Sequence, residues 1–409
     1  GVVSMDSFSI TGAAIILPDR VIERGTLRVD DGEITAIEEG GISSLTEQAT
    51  TIDAAGAYLM PGVIDLHNDN LEFEVNPRPH ANLPIPFALS NMERRLAGAG
   101  VTTEFHAITF MNRLEKQRTV TDAIAKAEHI ASLQNGPQRA VRHEILHRLD
   151  VRSPEALDSA MESINRMAIR YASLNDHAPG QGQYRDIENL IKLGHADAER
   201  KGLEKTPAEW YHDRMAKALA DTETVPAFYE RVDAETQYHH IMLSTHDDHT
   251  IEKVDAQLAI GATISEFPIT MEVAQHSRDH GMTIIVGAPN IMRGGSQSGN
   301  LAAHELIEAD LADAICADYH APSLIPAAFK VFNLGYRDLP AAVRMVTEAP
   351  AKAIGLERSG AIRLGYVADL ALVRVDADGI PHVQSTWIAG RQSFSFPFTQ
   401  EIAALTFAD

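Results

Sequence analysis

The feature that most restricts the fold of this chain is a regular alternation in its middle. Short apolar segments with strand character recur at 62–67, 102–108, 143–150, 172–176, 240–245, 262–267, 283–287 and 314–317. Helical patterns lie between them. One spans 121–134, with Ile124, Ala127, Ile130 and Ala131 on one face, and another spans 300–309. Strands separated by helices pair in parallel, because each crossover brings the chain back to the same edge. The expected class is therefore α/β. An open doubly wound sheet is one solution and a (β/α)8 TIM-like barrel the other. The eight segments, with polar residues recurring at their ends, favour the barrel.

The two ends of the chain read differently. Residues 13–17 form an apolar run that stops at Pro18-Asp19. Residues 25–29 alternate, Asp30-Asp31-Gly32-Glu33 turns, and 34–37 returns, the pattern of a β-hairpin. Near the C-terminus, 368–373 and 383–388 flank a turn at Ala377-Asp378-Gly379. Both ends are expected to pair into one small sheet domain, 1–60 with 362–409, beside a barrel domain, 61–361. Within the barrel, 180–238 is long and polar. Helical stretches are expected at 187–193 and 207–220, and the segment reads equally as a lid over the barrel mouth or as a plain helical insertion.

Composition narrows the function. The 409 residues carry 35 Lys and Arg against 57 Asp and Glu, a net charge of −22. Such a field repels phosphate backbones and anionic membranes, so neither nucleic acid nor a membrane is an expected partner, although a local arginine cluster can still hold a phosphorylated substrate. One cysteine suits a reducing compartment, no apolar run is long enough to span a bilayer, and the first residues lack the order of a signal peptide; a cytoplasmic location is expected.

The 18 histidines are many for this length, and several sit beside carboxylates at strand ends. The sharpest case is Pro61-Gly62-Val63-Ile64-Asp65-Leu66-His67-Asn68-Asp69-Asn70, where His67 and Asp69 are two apart and so point the same way from a strand. Asp150, His177, His246 and Asp318 end later strands and can converge on the C-terminal face of a barrel. Histidines with carboxylates suit borderline divalent ions such as zinc or manganese, and a shared carboxylate would hold two of them about 3.5–4 Å apart.

These motifs give the chain its resemblance to the amidohydrolase superfamily, together with Gly100-Val101-Thr102-Thr103, Val346-Thr347, Ala349-Pro350-Ala351 and Gly365-Tyr366-Val367-Ala368-Asp369-Leu370. The resemblance covers nearly the whole chain. It implies a metal-dependent hydrolase barrel with a small β-sandwich from both termini, and homodimerisation, which is common in the superfamily. One branch is more similar still, the diphosphatases of the carbon–phosphorus lyase pathway of phosphonate metabolism. The shared stretches include His67-Asn68-Asp69-Asn70-Leu71-Glu72, Pro77-Arg78-Pro79, Asp176-His177-Ala178-Pro179-Gly180-Gln181, Ser244-Thr245-His246-Asp247-Asp248 and Pro289-Asn290-Ile291-Met292-Arg293-Gly294-Gly295-Ser296. The branch releases pyrophosphate from a ribose 5-triphosphate. Two departures bear on substrate and metal spacing: Gln297 stands where the branch has histidine, and Asp150 where it has glutamate.

The resemblance implies two divalent ions held by His67, Asp69, Asp150, His177, His246 and Asp318, with Asp318 as the catalytic base. On the substrate side, Arg293, Gly294, Gly295 and Ser296 read as a phosphate loop before a helix N-terminus, or as an ordinary connection. Arg78 between two prolines reads as a phosphate clamp or a surface residue, and Arg148 as the partner of Asp150 or a substrate contact. Glu266 reads as a cap on a substrate hydroxyl or as the residue that orients a ligand histidine. The competing functions are a C–N hydrolase with the same activated water, and a barrel without activity.

Overall fold

The structure, a computed structural model, describes residues 7–40, 50–78, 81–112, 119–134, 139–176, 188, 191, 206–295 and 301–396. The N-terminal region contributes β1 (Phe8–Ile16), β2 (Val21–Asp30), β3 (Glu33–Glu39), β4 (Thr50–Asp53) and β5 (Tyr58–Pro61). Between β2 and β3, Asp31 and Gly32 have φ of 50° and 80°. Positive φ at both central residues is the hairpin turn whose twist matches its strands, which explains the Asp-Gly signal.

Eight parallel strands follow: β6 (Val63–Asn68), β7 (Val101–Phe110), β8 (Arg142–Asp150), β9 (Tyr171–Asn175), β10 (Met242–His246), β11 (Ala262–Glu266), β12 (Thr283–Gly287) and β13 (Ala314–Cys316). They pair in sequence order. Closure is made at the mouth. The Asp318 amide donates to the His67 carbonyl at 2.9 Å, the Asp69 amide donates to the Asp318 carbonyl at 2.7 Å, and the Ala317 amide donates to Asp65 Oδ1 at 2.9 Å. The barrel thus replaces the open-sheet alternative, and each of the eight expected segments is a strand. Its interior is filled by Ile64, Leu66, Phe105, Leu146, Tyr171 and Ile264, while Val63, Ile108, Ile145 and Leu243 face the surrounding helices.

The expected helices 121–134 and 207–220 appear as Val120–Gln134 and Pro207–Ala220; 300–309 is shortened to Ala303–Glu308. Most of 180–206 lies outside the described residues, and the chain resumes as a helix pair ending with Val225–His239.

After the barrel come β14 (Leu370–Val375), β15 (Pro381–Ile388) and β16 (Arg391–Ser395). They join the N-terminal strands in one path, β16-β15-β14-β5-β1-β2-β3, with β4 also on β1. Trp387 on β15 and Phe8 on β1 are three strands apart, about 14 Å in a flat sheet. Their rings nevertheless stack with centroids 6.0 Å apart. The sheet therefore curls over its own apolar core of Phe8, Ile10, Leu27, Leu59, Leu370 and Trp387. Its outer side is fastened to the barrel by Arg142 on β8, whose guanidinium makes two hydrogen bonds to the Asp369 carboxylate. Gly62 makes the crossing from sheet to barrel. A Cβ there would lie 2.2 Å from Thr102 Cγ2, so only glycine passes.

Candidate metal centre and active-site cavity

The C-terminal ends of the barrel strands surround a cavity of about 490 Å³. Asp69, Arg148, His246, Asp247 and Asp318 line its floor, and Phe73, Phe267 and Tyr319 contribute aromatic wall. Three residues just past their strands have left-handed backbones: Asp247 (φ 53°), Phe267 (φ 55°) and Asp318 (φ 58°). Each amide still extends the ladder: Asp247 donates to the Glu266 carbonyl, Phe267 to that of Ile285 and Asp318 to that of His67. The chain then turns through a conformation that costs a non-glycine residue about 1–2 kcal/mol. The recurrence at three cavity-lining positions marks the mouth as a place where backbone strain serves side-chain placement.

Two histidines lie against carboxylates. His67, 1% exposed, has its Nδ1 3.0 Å from Glu266 Oε2. His246 Nδ1 lies 3.0 Å from Asp247 Oδ2, an ion-pair contact without hydrogen-bond geometry. A ring whose Nδ1–H is held as that of His67 is by Glu266 presents Nε2 as a ligand atom. Among the described residues His67 Nε2 is buried without a hydrogen-bond partner, and it lies 3.4 Å from Asp69 Oδ1. One ligand atom each from His67, Asp69 and Asp318 falls within 4.8 Å of the others, and a second such group is His67, His246 and Glu266.

The electrostatics favour a cation. Among the described residues, the carboxylates of Asp69, Asp247, Glu266 and Asp318 surround the two rings, with the Arg148 guanidinium among them. Burial alone would lower the pKa of His67, yet the negative charge of Glu266 and Asp69 raises it to about 10. Asp318 is pushed up to about 7, first by burial and then by the neighbouring Asp69 carboxylate. An orphaned imidazole nitrogen beside two carboxylates is the donor set that a borderline divalent ion takes. The residues therefore fit the metal that the sequence motifs imply.

Of the expected ligands, His67, Asp69, His246 and Asp318 are thus brought together. Asp150 ends β8, buried at the same end of the barrel, and its Oδ1 accepts from the Arg152 amide at 2.9 Å; it belongs to neither ligand group. His177 and Ser296 lie outside the described residues.

The substrate-side expectations need correction at several positions. Glu266 is not a cap on a substrate hydroxyl. It is fully buried beneath His67, where Tyr171 Oη (2.6 Å), Ser244 Oγ (2.9 Å) and Ser173 Oγ (3.3 Å) donate to it. These donors and the His67 contact outweigh burial, and the carboxyl is lowered to about 2. Gly294 and Gly295 do not form a phosphate cradle before a helix. They end the helix Ala288–Arg293: Gly294 takes φ 77°, and both amides donate to the Asn290 carbonyl, so those N–H groups are spent on the helix C-terminus. Arg293 lines the cavity, its Nε donating to the Pro289 carbonyl at 3.2 Å. Arg78 is exposed and does not line this cavity.

Arg148 reaches past its own strand. It donates to Asp69 Oδ1 at 2.8 Å and twice to Asn175 Oδ1, at 3.2 and 3.0 Å. Sequence reasoning left Asp247, Asn175, Ser173, Ser244 and Tyr171 without a role. The available signal was spacing: Ser173 and Asn175 share the face of β9 that looks into the barrel.

Comparison with known proteins agrees with this geometry. Residues 88–394 match the amidohydrolase family. The chain is 33% identical over 393 residues, 94% of its own length and 100% of the relative, to alpha-D-ribose 1-methylphosphonate 5-triphosphate diphosphatase of Escherichia coli (strain K12). Among solved structures, β-aspartyl dipeptidase from Fervidobacterium islandicum AW-1 superposes with a TM-score of 0.62 at 16% identity, covering 97% of this chain and 99% of that one. N-acetylglucosamine-6-phosphate deacetylase from Pasteurella multocida gives 0.57 at 16% identity, over 94% and 99%. With the barrel, the curled terminal sheet and the histidine–carboxylate centre, the matches establish that this chain belongs to the amidohydrolase family.

Proposed function

We propose that this hydrolase cleaves a phosphoanhydride of a sugar 5-triphosphate in phosphonate metabolism and releases pyrophosphate. The observation that carries the reading is the pairing of two guanidiniums, Arg148 and Arg293, with the His67–Asp69–Asp318 group around one cavity. A triphosphate brings more negative charge for the two guanidiniums to meet than an N-acyl amino acid or a cyclic amide does. The 33% identity to a triphosphate diphosphatase supports the same chemistry.

A divalent ion held by His67, Asp69 and Asp318 would supply Lewis acidity and an activated water at neutral pH. His177 and Asp150 are proposed as further ligands if a second ion is held, as the sequence motifs suggest. The chain does the rest. Glu266 fixes the His67 imidazole, and Asp247 lies beside that of His246. The Asp318 carboxyl takes the proton of the attacking water. The water oxygen bonds to the α-phosphorus as the bond to the pyrophosphate oxygen breaks, and the guanidiniums of Arg148 and Arg293 balance the charge that moves onto the leaving group. Phe73 and Phe267 line the cavity beside the centre.

The test is an assay of metal-loaded protein on ribose 5-triphosphate analogues and nucleoside triphosphates, with pyrophosphate and orthophosphate detected separately. Pyrophosphate with a 5-monophosphate product is the expected result. Orthophosphate alone, or silence on triphosphates together with turnover of N-acyl amino acids or cyclic amides, overturns the reading.

A further inference from the structure

The first turn of the helix Ile251–Leu258 carries a lysine where the local rules disfavour one. Lys253 is the third residue of that helix, and its amide donates to the hydroxyl of the capping Thr250 at 3.3 Å. A cation in this place meets the positive end of the helix dipole, where an anion is preferred. The side chain does not escape into water either, since only 13% of it is exposed.

Two contacts account for its position. The ammonium donates to the His246 carbonyl at 3.1 Å and lies 3.0 Å from Asp248 Oδ1. Asp248 is fully buried, and Gln257, one turn after Lys253 on the same helix, donates to that oxygen at 3.3 Å. The Asp248 carbonyl is held as well, by the Ile269 amide at 3.0 Å. Lys253 therefore clasps the residues on either side of Asp247, whose backbone is left-handed at φ 53°. Such a backbone persists only where its surroundings over-determine it. Lys253 does not line the cavity, so it acts on no substrate directly. What it holds is the end of β10, and there the His246 ring joins His67 and Glu266 in one of the two ligand groups.

We propose that Lys253 is a positioning residue for the metal centre: by joining the His246 carbonyl to the Asp248 carboxylate across the left-handed turn, it fixes the direction in which the His246 imidazole points. The role rests on His246 being a metal ligand, as read above, and is independent of which bond the enzyme cleaves.

The experiment measures the affinity of the full chain for Zn²⁺ by competition with a chromophoric chelator. Lys253→Met should weaken it about tenfold, the lower end of what outer partners of a metal ligand contribute. Lys253→Arg, which keeps a cationic donor, should recover most of the loss. His246→Ala should weaken binding by itself, and Lys253→Met added to it should change little further, because the ring that the lysine positions is gone. A residue that served stability alone would lower the thermal midpoint and leave these affinities unmoved. Unchanged affinity in Lys253→Met beside weakened affinity in His246→Ala overturns the positioning role and leaves the ligand reading intact. A loss of equal size with and without the His246 ring also overturns it, since the lysine would then act elsewhere. Unchanged affinity in His246→Ala overturns the ligand reading and the role together. Lys253→Met leaves Asp248 buried with one donor fewer; if that variant folds poorly, Lys253→Met combined with Asp248→Asn removes the buried charge and repeats the comparison against Asp248→Asn alone.

Discussion

The curled terminal sheet and the mouth of the barrel bury opposite kinds of side chain. The sheet closes over Phe8, Ile10, Leu27, Leu370 and Trp387, an apolar set that needs no partners. The mouth buries His67, Arg148 and Glu266 and half-buries Asp318, each of which is unfavourable there unless its neighbours compensate. The first region adds stability by removing carbon from water; the second holds charge in place at the expense of stability. The lesson is that substitutions of similar severity in the two regions should fail in different ways.

The largest separation is expected from Asp318→Asn. Loss of the proton acceptor should lower turnover by roughly 10²–10⁴-fold even at saturating metal, with the thermal midpoint near that of the wild type. Substantial remaining activity would remove Asp318 from its role. The mirror image is Trp387→Ala. Emptying its place against Phe8 should cost about 3–5 kcal/mol of stability in a denaturant titration, while kcat and KM of the folded protein stay unchanged; a change in KM would show that the sheet reaches the cavity.

Glu266→Gln sharpens the comparison at a single buried group. The amide keeps the shape but not the charge that orients His67, so metal affinity in a chelator competition should fall about 10–100-fold, with little change in secondary structure. Unchanged affinity would make Glu266 a packing residue.

The smallest effect concerns Glu144 on β8, away from the mouth. Its carboxyl is raised to about 7 by burial, against the Gln134 amide donor at 2.7 Å. The folded state therefore holds this proton more tightly than the unfolded chain. The contribution to stability is complete below the unfolded value near 4.5 and is lost as pH rises through about 7. Glu144→Gln should flatten that part of the midpoint-against-pH curve and leave activity alone. An unaltered curve would place the titration elsewhere.

Legibility followed the same division. The eight barrel strands and the hairpin around Asp31-Gly32 were readable because apolar runs, helical spacing and turn residues are local signals. At the mouth, His67 and Asp69 were readable from their spacing of two, and His246 and Asp318 from their place at strand ends. For Glu266 the sequence left a substrate contact and a histidine-orienting role both open, because its burial depends on Tyr171, Ser173 and Ser244, which come from two other strands. The glycines after Arg293 were misread because a glycine pair looks the same before a helix as after one. The direction was decided by strand β12 running straight into the helix Ala288–Arg293.

The amino-acid sequence by itself determined the element types, the eightfold repeat, the pairing of both termini and the residue types that can hold a metal. These follow from periodicity and side-chain chemistry, which act within a few residues. The tertiary structure alone decided which carboxylate meets which imidazole and that Arg148 pairs with Asp69. Those contacts join residues up to about two hundred positions apart, and the closure of the barrel brings them within hydrogen-bond distance.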